Sequence, residues 1–265
     1  MLKEFFDGER IEYFAVLDYS SCNEISHDII AREPFCARSV IIFIIPYYVS
    51  FPENLSVYAS SLDYHIYVRE VTDRLISVLK ERFPKSNFKG YGDHSPIDER
   101  DAALKGGLGI LGDSGLLINE KYGTFVFIAD VITDIDPVLL GGAVNNQIKH
   151  CSHCGACRTA CPTGILRGCS NSCLSAITQR KGELTDQEVE LMKKFNTVWG
   201  CDVCQLSCPY NKEPRITPIE FFHKDRIDLL TNEVLSSLLK DEFRRRAFGW
   251  RGRQVVQRNL DLLGY

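Results

Sequence analysis

In the first half of the chain, hydrophobic residues gather into short unbroken runs separated by glycine-, proline- and charge-rich segments. Tyr13–Asp18, Ser39–Pro46 and Thr124–Thr133 are apolar and rich in β-branched residues, which predicts buried strands. From Tyr64 the period changes. Tyr64, Val68, Val71, Leu75 and Val78 recur at helical spacing with charges between them, and Pro84 closes the segment, so one amphipathic helix is expected there. Ile97–Lys105 also reads as helical; it runs into Gly106, Gly107, Gly109 and Gly112, with a strand at Leu116–Ile118 soon after. Thr185–Phe195 predicts a further helix, and the chain from Pro214 on is helical with a basic end. The pattern divides the chain into an α/β domain over 1–147, a cysteine-bearing module over 148–213 and a helical segment over 214–265.

With 265 residues, 45% of them hydrophobic and 25% charged, the chain can bury a sizeable core. The longest apolar stretch, Val40–Val49, is interrupted by Pro46 and reaches about half the length of a membrane helix, so no membrane partner is expected. Met1–Arg10 is charged and lacks the apolar centre of a signal peptide, which with the reduced cysteines points to the cytoplasm. A net charge of −4 excludes a generally basic nucleic-acid coat and leaves room for a local patch. Such a patch lies between Lys240 and Tyr265, where seven Lys/Arg face three Asp/Glu and Trp250 sits among the arginines. It reads equally as an RNA-backbone surface or as the solvated face of a helix packed through Phe243, Phe248 and Val255.

Nine of the eleven cysteines lie between Cys151 and Cys208. Cys151, Cys154, Cys157 and Cys161-Pro162 follow the C-x2-C-x2-C-x3-C-P run of bacterial-type ferredoxins, whose fourth thiolate serves a second cluster. Cys201, Cys204 and Cys208-Pro209 supply three more sulfurs, with Cys169 and Cys173 between. Crossing the ligands in the ferredoxin manner gives Cys151, Cys154, Cys157 and Cys208 for one [4Fe–4S] cluster. The second takes Cys161, Cys201, Cys204 and either Cys169 or Cys173. Disulfides suit small secreted proteins, and structural zinc favours separated cysteine pairs, so clusters are the better reading.

Gly107-Leu-Gly109-Ile-Leu-Gly112 matches the dinucleotide fingerprint, but a helix precedes it and a strand follows, the reverse of what a phosphate on a helix N-terminus requires. A glycine-rich turn permitting close backbone approach to another group, such as a cofactor, is the reading that remains.

Ala37-Arg38-Ser39-Val40 leading to Pro46-Tyr47, Tyr58-Ala59, Asp63-Tyr64-His65, Asp93-His94-Ser95-Pro96-Ile97 with Glu99, the glycine loop, Tyr122-Gly123, Thr133-Asp134, both cysteine motifs, Glu242-Phe243-Arg244 and Arg258-Asn259 occur in one order. In these segments the chain resembles the epoxyqueuosine reductase family, cobalamin-dependent enzymes of queuosine synthesis in tRNA. The resemblance implies a cobalamin-binding α/β domain of the reductive-dehalogenase type, followed by a ferredoxin module with two [4Fe–4S] clusters. It implies Cys173 as the eighth ligand and Cys169 as the spare, and Asp93 as the acid that protonates the departing epoxide oxygen. Tyr58, Asp63, His65, Ser95, Gly107, Gly109 and Gly112 fall in its cofactor-facing segments. Its partners would be a low-potential electron donor such as ferredoxin or flavodoxin, and the tRNA anticodon loop. From the residues alone, Asp93 reads as a turn former and Asp63 with His65 as a helix start.

The chain departs from that family at Ser60-Ser61, where the pattern has Arg-Gly, and at Asp113-Ser114-Gly115, where it has Lys-(Asn/His)-Thr. The helical repeats beyond the Arg-Asn pair are missing, and the link between Cys161 and Cys173 is about four residues short. Three functions are therefore weighed: epoxyqueuosine reduction in tRNA, a cobalamin-dependent reductase of a small molecule, and a ferredoxin-like electron carrier.

Overall fold

The computed structural model describes residues 1–141, 150–169 and 172–265. The chain forms two compact units, Met1–Pro46 with Tyr67–Ser152, and Tyr47–Ile66 with His153–Tyr265. This differs from the expected division into three. Residues 47–66 join the cysteine-bearing unit because Leu55 and Ala59 enter the core built around Trp199, and 214–265 is no separate segment because Leu230, Phe248 and Leu260 enter the same core. The expected boundary at 147/148 lies outside the described residues.

The first unit contains strands β1 (Phe14–Asp18), β2 (Ser39–Pro46), β3 (Phe88–Tyr91), β4 (Ile110–Leu111), β5 (Leu117–Ile118) and β6 (Val126–Thr133). A four-stranded sheet runs in the order β1-β2-β6-β3 with every pair antiparallel, and β4-β5 makes a separate two-stranded ribbon. Every residue of β2 is buried, because both faces of the sheet are covered. On one face Phe6, from the Leu2–Gly8 helix, stacks on Phe14 with ring centroids 4.4 Å apart and meets Phe43 at 5.1 Å. On the other, Val40, Ile42, Ile44 and Ile132 pack with Ala102 and Ala103 of the Glu99–Lys105 helix and with Leu108. Val71, Leu75 and Leu79 of the Tyr64–Arg82 helix are completely buried. β3 passes that helix at Gly90, where a Cβ would sit 2.6 Å from Thr72 Cβ; only glycine permits the approach.

In the second unit, short helices at Ala156–Ala160, Leu174–Gln179, Asp186–Lys194 and Val203–Leu206 carry or flank the cysteines. The Asp186–Lys194 helix starts at a capping box formed by Thr185 and Glu188, which satisfies two donors that the first turn leaves open. Buried Asn259 ties this region to the Arg253–Leu263 helix, donating to the carbonyls of Thr178 at 2.7 Å and Val198 at 2.8 Å. Phe243, Phe248 and Val255 lie in the Trp199 core. Several of the nearby arginines act as backbone ties: Arg246 donates to Asp225 O, Arg253 to the carbonyls of Leu235 and Leu238, and Arg258 to those of Arg180 and Gly182. Trp250 is exposed beneath the Arg251 guanidinium, 3.9 Å from its ring centroid. Among the described residues, no helix is long and apolar enough to cross a membrane.

Candidate functional site

The second cysteine motif folds so that four thiols share one neighbourhood. Burial pushes the Cys201 thiol up to about 11, with Cys173, Asp202 and Cys161 adding to the shift. Burial likewise pushes Cys204 up to about 12, and Cys201, Cys173, Asp202 and Cys161 are its charged neighbours. Cys161 moves the other way: burial opposes ionisation, but the backbone N–H groups of Leu166, Thr163 and Gly164 and the Thr163 hydroxyl outweigh it. Thiols that raise one another's pKa are costly to ionise together, and a bound cation reverses that cost. The Cys169 Sγ lies against Gly164, 2.8 Å from where a Cβ would be.

Of the other expected ligands, Cys154, Cys157 and Cys208 belong to the second unit and Cys151 to the first. Cys157 is on the Ala156–Ala160 helix, which packs against the Val203–Leu206 helix bearing Cys204. Among the described residues no cysteines are joined by a disulfide. Asp202, between Cys201 and Val203, was not singled out by the sequence reading. It accepts from Ser56 Oγ at 2.5 Å, Val57 N at 2.6 Å and Gln205 Nε2 at 2.9 Å, and so fixes the 47–66 segment to the motif.

Asp93 is exposed at a turn, with φ 68 in the left-handed region. Its backbone N–H donates to Glu99 Oε1 at 3.2 Å. Glu99 opens the Glu99–Lys105 helix, and Asp98 caps that helix by accepting from the N–H groups of Arg100 and Asp101. Burial, with Asp130, Asp93 and Asp98 adding their charge, pushes the Glu99 carboxyl up to about 9. Asp130 is at the middle of β6 with no exposed surface. Burial raises its carboxyl to about 7, the Ser95 hydroxyl offsets this only in part, and neither oxygen completes a hydrogen bond. Neither carboxyl stood out from the residues as a site. The available signal was an acidic residue inside the apolar run Phe127-Ile-Ala-Asp-Val-Ile132, where an unpaired charge is expensive.

The residues expected to face a cofactor divide between the units. Tyr58, Asp63 and His65 lie in the second; Ser95, Gly107, Gly109 and Gly112 lie in the first. Asp63 accepts from the backbone N–H of His65 at 3.0 Å and pairs with its Nδ1 at 2.8 Å, and the His65 ring stacks on Tyr64. The Tyr58 hydroxyl accepts from Gln179 at 3.4 Å. Ser95 is buried beside Asp130. What approaches two of the glycines is the chain itself. A Cβ on Gly109 would lie 2.5 Å from Ile118 O, and one on Gly112 would lie 2.8 Å from Ile118 Cδ1, so both are required by the β4-β5 ribbon. Gly107 keeps a left-handed backbone with φ 69. Ser60 and Ser61, at the positions that depart from the family pattern, are buried and donate to the carbonyls of Val57 and Leu62.

Residues 150–211 match the family described as 4Fe-4S double cluster binding domain. The chain is thus an iron–sulfur protein in which a double-cluster domain is joined to a mixed α/β unit. The epoxyqueuosine reductase of Leadbetterella byssophila is 31% identical over 222 residues, covering 77% of this chain and 71% of that protein. That of Francisella cf. novicida is 34% identical over 192 residues, covering 70% of this chain and 51% of its own length. The chain belongs to the epoxyqueuosine reductase family. Against the first curated relatives its match spans about half their length: 51%, 50% and 54%. The fold agrees with the solved epoxyqueuosine reductase from Streptococcus thermophilus, at TM-score 0.77, 21% identity and coverage of 99% of this chain and 79% of the other. It also agrees with an epoxyqueuosine reductase solved with an epoxyqueuosine-modified tRNA-Tyr stem loop, at TM-score 0.78, 23% identity and coverage of 99% and 80%.

Proposed function

We propose that the protein is an iron–sulfur and cobalamin-dependent reductase that converts epoxyqueuosine to queuosine in the anticodon loop of tRNA. Family membership carries the reading, and the grouping of Cys161, Cys173, Cys201 and Cys204 supports it. In this proposal those four thiolates hold one [4Fe–4S] cluster, and Cys151, Cys154, Cys157 and Cys208 hold the other. A low-potential donor in the cytoplasm supplies the electrons.

Cobalamin, when bound, supplies a metal centre that gathers single electrons and attacks carbon. Within the second unit, the Tyr58 hydroxyl and the Asp63–His65 pair are donors that suit its amide-fringed ring. Ser95, Gly109 and Gly112 are engaged by the protein and have smaller parts in this reading. Asp93 delivers the proton to the departing oxygen. It is accessible, and the hydrogen bond to Glu99 fixes its backbone. The exposed Trp250–Arg251 pair offers a stacking face and a charge for RNA.

Anaerobic reconstitution with iron, sulfide and cobalamin, followed by product analysis on tRNA from cells lacking the reductase, tests the proposal. The expected result is about eight irons per chain, a cobalamin spectrum and conversion to queuosine. Asp93→Asn should keep iron and cobalamin but lose roughly a hundredfold or more in turnover. Ser60-Ser61 and Asp113-Ser114-Gly115 favour a second reading, in which the same architecture reduces a small molecule. Cobalamin binding with epoxyqueuosine tRNA left untouched would move that reading to first place, and failure to bind cobalamin would favour the electron carrier.

A further inference from the structure

Among the described residues Asp130 is a carboxyl without a counter-charge. Its neighbours across the sheet are Ile42 on β2 and Tyr91 on β3. Directly paired residues point to the same face, so its side chain lies on the face that the Glu99–Lys105 helix covers together with Ile42. Among the described residues, those responding to its charge include Glu99, Tyr19, Cys22 and Tyr91, none of them cationic. The nearby ammonium of Lys105 is engaged by Asp101 at 2.6 Å and by the Ser21 carbonyl at 2.7 Å. Glu99 feels the charge of Asp130 and accepts the Asp93 backbone N–H through Oε1 at 3.2 Å. Three carboxyls thus run from the sheet interior to the surface: Asp130, Glu99, Asp93. The innermost is fully buried and completes no hydrogen bond among the described residues, so this is more than a solvated acidic patch.

The proposed reaction sets the need. When an epoxide becomes an alkene, two C–O bonds break, one C=C bond forms, and the oxygen leaves as water. That takes two electrons, supplied by a low-potential one-electron donor through the clusters, and two protons. Asp93 carries one proton at a time, so a second proton must reach it before a turnover is complete. We propose that Glu99 is the source of the second proton: it reloads the Asp93 carboxylate within the turnover, and buried Asp130 keeps it loaded. Glu99 acts through Asp93 and is a positioning and proton-supplying residue. Burial and the surrounding negative charges hold its carboxyl in the acid form at neutral pH.

The inference rests on the epoxyqueuosine reading, and its test separates the two. Glu99→Gln keeps an oxygen for the Asp93 N–H but has no proton to give. In cluster- and cobalamin-loaded enzyme, kcat should fall roughly tenfold or more with KM for tRNA unchanged. A small diffusible acid such as imidazolium should restore turnover in Glu99→Gln, and Glu99→Asp should retain part of it. Asp93→Asn should not be rescued. Independently of activity, infrared spectra at neutral pH should show a protonated carboxylic acid that Glu99→Gln removes. Full activity of Glu99→Gln, or an infrared spectrum unchanged by it, overturns the inference and leaves the reductase reading standing. Wild-type enzyme that binds cobalamin but cannot convert the tRNA overturns both.

Discussion

Replacing Asp130 with Asn should stabilise the first unit, by an amount that grows with pH. Burial in the sheet lifts this carboxyl from 3.8 to about 7. The folded value lies above the unfolded one, so between the two the native state binds the proton more tightly, and stability falls as pH rises through that window. Linkage puts the cost at about 2 kcal/mol at about pH 5 and about 4 kcal/mol at about pH 8. Asparagine does not titrate. Its own burial penalty is the same at both pH values and cancels when they are compared. The gap between variant and wild type should therefore widen by about 2–3 kcal/mol, or roughly thirty- to hundredfold in amide protection. Relief of Glu99, which Asp130 also pushes up, acts in the same direction. Anaerobic hydrogen exchange read on β6 peptides, each variant against wild type at the same pH, measures the ratio. A ratio that stays constant across the range would refute the reasoning, since it would mean that Asp130 ionises in the fold at no cost.

Cys173→Ala should lose about four of eight irons and Cys169→Ala none, measured by iron content and absorption after reconstitution; equal losses would reverse the choice of ligand. Asp202→Ala strands the Ser56 hydroxyl, the Val57 N–H and the Gln205 amide, and should lower stability by about 3 kcal/mol in anaerobic urea unfolding. Gly109→Ala places a methyl 2.5 Å from Ile118 O and should cost about 1–3 kcal/mol in the first unit while iron content is unchanged.

The elements that the sequence disclosed were those whose burial was written in their own residues. Ser39–Pro46 is apolar throughout and forms β2 over the same span, and the helix begins at Tyr64 as its periodicity predicts. β3 escaped because Phe-Lys-Gly-Tyr is neither apolar nor alternating; its place is secured by pairing with β6 and by the tight passage of Gly90 past Thr72. The Leu2–Gly8 helix is too short to show a period. The membership of 47–66 in the second unit was hidden for a different reason. Leu55 and Ala59 owe their burial to Trp199, about 140 residues away, and no local pattern records a partner at that separation. The cysteine motifs were legible because cluster chemistry fixes spacing along the chain, whereas Asp93, Glu99 and Asp130 meet only through the fold.

Asp130 and Asp202 show why burial alone does not assign a role. Both are buried aspartates whose carboxyls are raised by loss of solvent. Asp202 receives three short hydrogen bonds from its own unit, which lower its pKa again and make its carboxylate a fastener between the 47–66 segment and the second cysteine motif. Among the described residues Asp130 completes none and has only the Ser95 hydroxyl to offset its burial in part, although β6 places it where an alanine or valine would pack at no electrostatic cost. A structural carboxylate gathers donors, whereas one left without them keeps its field for its neighbours, and Glu99 is raised by that field. The difference between these two sites is the physical ground for assigning proton traffic to the Asp93–Glu99–Asp130 row and a purely architectural part to Asp202.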